Sequence, residues 1–265
     1  MSGAADTNNA KQYGDSRKLA ARARLNQEYT IAEVPWFEWV AGQLPLEPGS
    51  SILDIGSGPG WFWASVAKHL PQGIDLTLAD LSPGMVREAV ERCQPLPFAA
   101  VRGLEANATD LPFPDGSFDL VIAMHMLYHV RDQEKALAEM HRVLKPGGTL
   151  AVTTNGIGDT KQLYELGTAF GGPPYNIVAT YFGFDHAEEK LRAQFGNVTV
   201  AEHPARMRIT NPEDVFLALT SYPPGDSAGE PELALFRARI DDAFAAGGGV
   251  LETEKQTGLF ISRKA

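Results

Sequence analysis

A chain of 265 residues with 44% hydrophobic side chains is long enough to bury one sizeable core, with at most a small appendage. Its 33 acidic against 23 basic residues give a formal charge of −10, and no basic run exists to follow a phosphate backbone, which disfavours DNA, RNA and anionic membranes as partners. The one cysteine, Cys93, excludes an internal disulfide, and with neither a long apolar span nor a leader pattern the chain reads as soluble and cytoplasmic.

Residues 1–11 are small and polar and read as disordered. Residues 12–45 read as helical. Leu19, Ala23, Leu25 and Ile31 lead into VPWFEWVAGQL, where Trp36, Phe37, Val40 and Leu44 share one helical face. Glu47, Pro48 and Gly49 break that pattern. SILDIGSGPGW follows, from Ser51 to Trp61. Ile52, Leu53 and Ile55 suit a buried parallel strand. Gly56, Gly58 and Gly60 let the backbone turn sharply and approach a ligand closely. The helix expected from Trp61 to Leu70 would aim its free N–H groups at that ligand. Asp80 ends the next apolar run, IDLTLAD, where a doubly wound fold holds the two ribose hydroxyls of a nucleotide.

The alternation continues, with strands expected near 51–56, 75–80, 99–103, 118–124 and 148–154 and helices near 61–70, 83–93 and 132–144. Strand–helix alternation is the signature of an α/β fold with a parallel sheet. Ser82 and Pro83 suit the N-cap and first turn of the second of these helices, and Gly147 and Gly148 the turn into the fifth strand. Farther on, Lys161 to Phe170 and His186 to Phe195 read as helices around a GGPPYN loop. VTVAEHPARMRIT reads as one alternating strand, 211–247 as an insertion with two helical stretches, and GVLETEKQTGLFISRK as the final strand. The last two strands then form a long-range antiparallel pair with a helical cap between them.

The glycine spacing separates two nucleotide classes. The dinucleotide fingerprint G-x-G-x-x-G needs its third glycine where Trp61 stands, whereas this chain reads G-x-G-x-G after the acidic Asp54. The segment resembles motif I of the class I S-adenosylmethionine (SAM)-dependent methyltransferases. Four further stretches carry the likeness: Asp80 with Leu81, ANATDLPFPDGSFDLVIAMHMLYHV, HRVLKPGGTLAVTT, and TGLFISRK near the C-terminus. The last is similar to the final strand of the branch related to ubiquinone and menaquinone methyltransferases. The resemblance is specific over 50–155 and looser outside. It implies a Rossmann-like, doubly wound seven-stranded sheet with an antiparallel last strand, and SAM as cofactor. It also implies that Gly56, Gly58 and Gly60 pass the methionine half of SAM and that Asp54 helps to hold its cationic end. Asp80 and Leu81 would take the ribose and adenine, Asn107 and Ala108 the adenine, and Met124 would lie in the segment near the methyl and carboxyl groups.

Methyl transfer needs alignment in a dry pocket, and a base only where the acceptor has a proton to lose. His125 and His129, beyond the fourth strand, are the candidate bases; the alternative is that His129 caps or packs at a helix start. QYGDSRKLAARARLNQEYTIAEVPWFEWV resembles an N-terminal lid of a bacterial branch of the family, in which a tyrosine and an arginine close over the cofactor. Tyr13 would then meet the sulfonium and assist transfer, and Arg22 would meet the carboxylate; the alternative is a mobile tail and a helix surface. Trp63 reads as packing and Trp61 as a border of the methionine end. Tyr164, Phe170, Tyr175, Tyr181, Phe182, Phe184 and Tyr222 together suggest an aromatic-friendly pocket. No metal-ligand pattern is present.

These readings divide the chain into a helical lid over 1–45, a SAM-binding core over 46–155, and the end of the core sheet over 156–265 with cap insertions at 156–185 and 211–247. They make it a monomeric or homodimeric methyltransferase of secondary metabolism acting on a small aromatic or apolar acceptor. A non-catalytic SAM-fold subunit and an NAD-dependent oxidoreductase are the competing readings; the intact glycines count against the first, and the glycine spacing with no Tyr-x-x-x-Lys pair against the second.

Overall fold

The computed structural model describes the backbone of residues 17–265 and the side chains of residue 20 and residues 23–265. In chain order the elements are α1 (Arg17–Tyr29), β1 (Thr30–Ala32), α2 (Trp36–Ala41), β2 (Ser51–Ile55), α3 (Trp61–Val66), β3 (Asp75–Asp80), α4 (Pro83–Cys93), β4 (Ala100–Glu105), β5 (Phe118–Met124) and α5 (Gln133–Val143). There follow β6 (Leu144–Asn155), α6 (Lys161–Gly167), α7 (Ala179–Phe182), α8 (Phe184–Phe195), β7 (Thr199–Glu202), β8 (Ala205–Ile209), α9 (Pro212–Leu219), α10 (Glu230–Ala246), β9 (Leu251–Glu254) and β10 (Thr257–Arg263). They divide into two compact units. One comprises 34–155, 181–202 and 257–265; the other comprises the described residues up to 33, 156–180 and 203–256.

The first unit is a seven-stranded sheet in the order β4-β3-β2-β5-β6-β10-β7. The first five strands are parallel, and β10 runs antiparallel to both β6 and β7, as the sequence predicts. Ile52, Leu53 and Ile55 are buried because strand β2 lies inside the sheet with both faces covered. One face carries Trp63, Val66 and Ala89 of α3 and α4, the other Leu137, Met140 and Leu191 of α5 and α8. Helix α4 starts where its cap predicts: the Ser82 hydroxyl accepts from the Met85 N–H at 3.3 Å, with Pro83 in the first turn. The strand order reverses between β2 and β5, so the loops beyond those two strands leave in opposite directions and open a crevice at the carboxyl edge.

The second unit packs α1, α6, α9 and α10 with a three-stranded antiparallel sheet, β1-β8-β9, around Leu25, Leu163, Ile209, Val215, Phe236 and Ile240. Tyr29 donates its hydroxyl to Asp214 at 2.5 Å, a bond that, with burial, pushes the phenol pKa up to about 12.

Four expectations change. The stretch 12–45 is not helical throughout, because Thr30–Ala32 is a strand paired with β8. VTVAEHPARMRIT is two strands in different sheets, divided at His203–Pro204, where proline brings no N–H to a ladder. GVLETEKQTGLFISRK also divides, at Lys255–Gln256. There the Gln256 N–H donates to Asp159 Oδ1 at 2.9 Å, and Lys255 Nζ reaches Asn26 Oδ1 at 2.8 Å. The helix expected over 61–70 is six residues of α-helix followed by a 3-10 turn, Ala67–His69.

Candidate active site

The turn beyond β2 is built by three residues with positive φ: Gly56 at 72°, Gly58 at 52° and Gly60 at 74°. The N–H groups of Gly56 and Ser57 both donate to the Ala79 carbonyl, at 2.7 and 3.1 Å, which ties the turn to the end of β3. The first and third glycines are required by packing. A Cβ at Gly56 would lie 2.7 Å from Met126 Cβ, and one at Gly60 would lie 3.1 Å from Ala89 Cα. A Cβ at Gly58 would meet nothing within 4 Å, so the middle glycine faces open space. Ser57 Oγ is buried with no hydrogen-bond partner; among the described residues, only the Asn176 amide is in the same condition. A buried polar atom left unpaired is costly, and Ser57 directly precedes the open Gly58 in the chain, so the turn suits a polar ligand.

These two glycines should behave differently when given a methyl group. Gly60→Ala is expected to cost about 1–3 kcal/mol of stability through positive-φ strain and the contact with α4. Gly58→Ala should cost only the strain, about 1–2 kcal/mol, yet weaken nucleoside binding severely. Chemical denaturation beside ligand titration checks the split, and similar behaviour of the two variants would refute it.

Asp80 ends β3 with one carboxylate oxygen on the glycine turn and the other on the residue that caps α4. Oδ2 accepts from the Gly58 N–H at 3.0 Å and Oδ1 from the Ser82 N–H at 2.9 Å. Burial pushes its pKa up, against the pull of these donors. Leu81 beside it is 60% exposed, an apolar surface open to a flat ligand face. The Ala106 N–H donates to the Asp80 carbonyl at 3.0 Å and so brings in the loop holding Asn107 and Ala108. Ala108 is buried, while Asn107 is exposed and its Oδ1 accepts from the Thr109 N–H and hydroxyl, both at 3.0 Å.

Asp54 is buried in β2, where Oδ2 accepts from Trp63 Nε1–H at 2.8 Å. Burial pushes its carboxyl up to about 7, the Trp63 bond opposing and the nearby Asp80 adding to the rise. Trp63 therefore packs, as the sequence predicts, and also holds the acidic residue of the turn. A tryptophan nine residues after an aspartate gives no local signal for that bond.

Met124 is half-buried at the end of β5. His125 follows it with φ 51°, unusual for a residue with a side chain, and its N–H bonds to Thr153 O at 3.1 Å and Thr153 Oγ1 at 3.2 Å. Its ring lies 5.7 Å from that of Trp36. His129 is exposed on a 3-10 turn, Leu127–His129, with its ring edge-on to Tyr128 at 4.6 Å. The cap of α5 is Asp132, which accepts from the Lys135 N–H at 3.0 Å, and not His129. Tyr13 and the Arg22 side chain lie outside the described residues. No group of three metal-binding side chains occurs among the described residues, and no described helix is long and apolar enough to cross a membrane.

The donor set fits a nucleoside with a cationic amino-acid end. The Asp80 carboxylate suits ribose hydroxyls, the exposed Leu81 suits a purine face, and Asp54 suits positive charge. Residues 53–152 match the model of the methyltransferase domain family. The chain is 36% identical over 118 residues to a ubiquinone/menaquinone biosynthesis C-methyltransferase of Psychromonas ingrahamii, covering 44% of this chain and 47% of that one. It is 37% identical over 132 residues to the protein of the same name from Cronobacter sakazakii, covering 49% and 51%. The chain thus spans about half the length of the curated relatives it matches. Its fold is similar to that of a putative methyltransferase from an antibiotic biosynthesis pathway of Anabaena variabilis, with a TM-score of 0.61 at 18% identity over 85% of this chain and 95% of that one. Residues 53–152 thus match the methyltransferase domain family, and over 44–49% of its length the chain is similar to ubiquinone/menaquinone C-methyltransferases.

Proposed function

We propose that the chain transfers a methyl group from SAM to a small aromatic or otherwise apolar metabolite, at carbon, oxygen or nitrogen. The observation that carries this reading is the turn at 56–60, whose outer glycines are packed against protein while the middle one faces open space beside Asp80. Bound there, SAM supplies a methyl group on a sulfonium, a carbon already activated for displacement. The chain has to hold, align and desolvate. Asp80 accepts the ribose hydroxyls, and Asp54 places negative charge under the turn. His125 is fixed at the carboxyl end of β5 by its two bonds to Thr153. As the bond from the acceptor atom to the methyl carbon forms, the carbon–sulfur bond breaks, and the imidazole of His125 takes the proton that the acceptor loses. Tyr13 and Arg22 are assigned to the sulfonium and the carboxylate of the cofactor. The names of the curated relatives, quinone C-methyltransferases, support a ring-bearing acceptor.

Thermal-shift titration with SAM and with NAD, followed by transfer of labelled methyl to a panel of phenols, quinols and heteroaromatic rings, tests the reading. Stabilisation by SAM alone is expected, since a ligand stabilises only the fold that binds it. His125→Ala should lower kcat by about 10²-fold or more with SAM affinity kept, the pattern of an interaction made only in the transition state. His129→Ala should stay near wild type. If both variants keep full kcat, transfer proceeds by alignment alone and the base assignment falls.

A further inference from the structure

We propose that the second unit holds a small-molecule site of its own, in which the side-chain amide of Asn176 reads a flat ring edge that carries a carbonyl beside an N–H, as in a lactam. Asn176 is 1% exposed, and among the described residues neither its Oδ1 nor its Nδ2 has a hydrogen-bond partner. Leaving a buried amide unpaired is costly, and nearly all buried polar groups in folded proteins are paired. The backbone around it is satisfied. The Asn176 N–H donates to the Ile157 carbonyl at 3.4 Å, and the Asn176 carbonyl accepts from the Ala179 N–H at 3.2 Å. The main chain is tied at both groups while the side chain is left unspent.

The other described asparagines behave differently. Asn107 and Asn211 each accept a backbone N–H from two residues on, at 3.0 Å, the usual service of an asparagine in a loop. Asn197 bonds the backbone of Arg263 with both its oxygen and its nitrogen, and Asn26 and Asn155 accept from Lys255 and Thr257. Asn176 therefore does not serve its own loop. Its neighbours are inverted as well. Tyr175 and Ile177 on either side of it are 39% and 41% exposed, and Ile157, whose carbonyl it bonds, is 54% exposed. The polar side chain is inside and three apolar ones are outside, the reverse of an ordinary loop. A few placed polar groups among apolar side chains is the make-up of a small-molecule site. The amide offers an acceptor and a donor side by side in one plane, and its complement is a donor beside an acceptor. A carboxylate or phosphate brings acceptors alone and would leave Oδ1 unpaired. Entry requires the loop to lift, and its start is built for that: Gly171 has φ 75°, and a Cβ there would meet nothing within 4 Å. The site stands on residues of the second unit alone and does not depend on the methyltransferase reading.

The test titrates 2-quinolone and N-methyl-2-quinolone calorimetrically into the full chain. Methylation removes the N–H and keeps the carbonyl and the ring. The wild-type protein should bind 2-quinolone about tenfold or more tightly than the methylated probe, because the blocked probe leaves Oδ1 buried and unpaired. Asn176→Leu, which keeps the length of the side chain and removes both polar atoms, should bring the ratio close to one. Asn176→Ala, which removes the amide without adding bulk, should lose the same preference and keeps the test open if leucine is not accommodated. A cooperative thermal transition shows that each variant folds. Failure of 2-quinolone to bind, equal binding of the two probes by wild type, or a ratio unchanged in a folded Asn176 variant would overturn the proposal.

Discussion

Asp80→Ala is expected to weaken SAM binding by about 10²–10⁴-fold while the sheet stays folded. Two hydroxyl hydrogen bonds to a carboxylate contribute about 1.5–3 kcal/mol each, and both are lost together. The same carboxylate also accepts the N–H groups of Gly58 and Ser82, so alanine leaves both donors without their acceptor. Asp80→Asn separates these roles. It keeps one carbonyl oxygen for the turn but removes the charge, and should rank between alanine and wild type. Calorimetry reads all three, and an alanine variant with wild-type affinity would remove SAM from this site.

Asp54 predicts a pH dependence of opposite sense for the free protein and for its complex. Burial raises its carboxyl from the ordinary 3.8 to about 7, so the free protein holds the proton at pH 6. A raised folded-state value favours the folded protein at low pH. That contribution is complete below the ordinary carboxylate range and is lost as pH rises from about 4 through 7. Stability of the ligand-free protein should therefore fall across that window and level off above it. A cation bound beside Asp54 favours the ionised form, so binding releases a proton and SAM affinity should rise by up to about tenfold per pH unit until pH 7. Asp54→Asn still accepts the Trp63 N–H, so it should flatten both profiles and raise the midpoint of the ligand-free protein at pH 8. Titrations in buffers of different ionisation enthalpy count the proton, and none released at pH 6 would sink the assignment.

Local patterning made the sheet legible, because the signals for β3, β5 and α4 lie within their own residues: buried runs for the strands, and Ser82 with Pro83 for the helix. Distant partners decide what was not legible. Thr30–Ala32 becomes a strand because β8 offers its edge, and the last two stretches break where Pro204 lacks a donor and Asp159 captures Gln256. The site divides in the same way. Glycine spacing and Asp80 are features of one loop and its neighbouring strand, so the sequence displays them. The Trp63–Asp54 bond depends on α3 folding back over β2, and the left-handed turn at His125 depends on Thr153, a residue of another strand. Neither has a local signature.

The chain passes from one unit to the other at 33/34, 155/156, 180/181, 202/203 and 256/257. Neither unit is therefore a cassette that recombination can exchange by cutting at one point. A chain ended at residue 155 would keep everything the family model matches, yet lose β10 and β7 and leave β6 as a long bare edge open to pairing with other chains. New properties in the second unit have to arise by substitution within it. Any shortened form meant for engineering must retain 181–202 and 257–265, the two returns of the chain that complete the first unit's sheet.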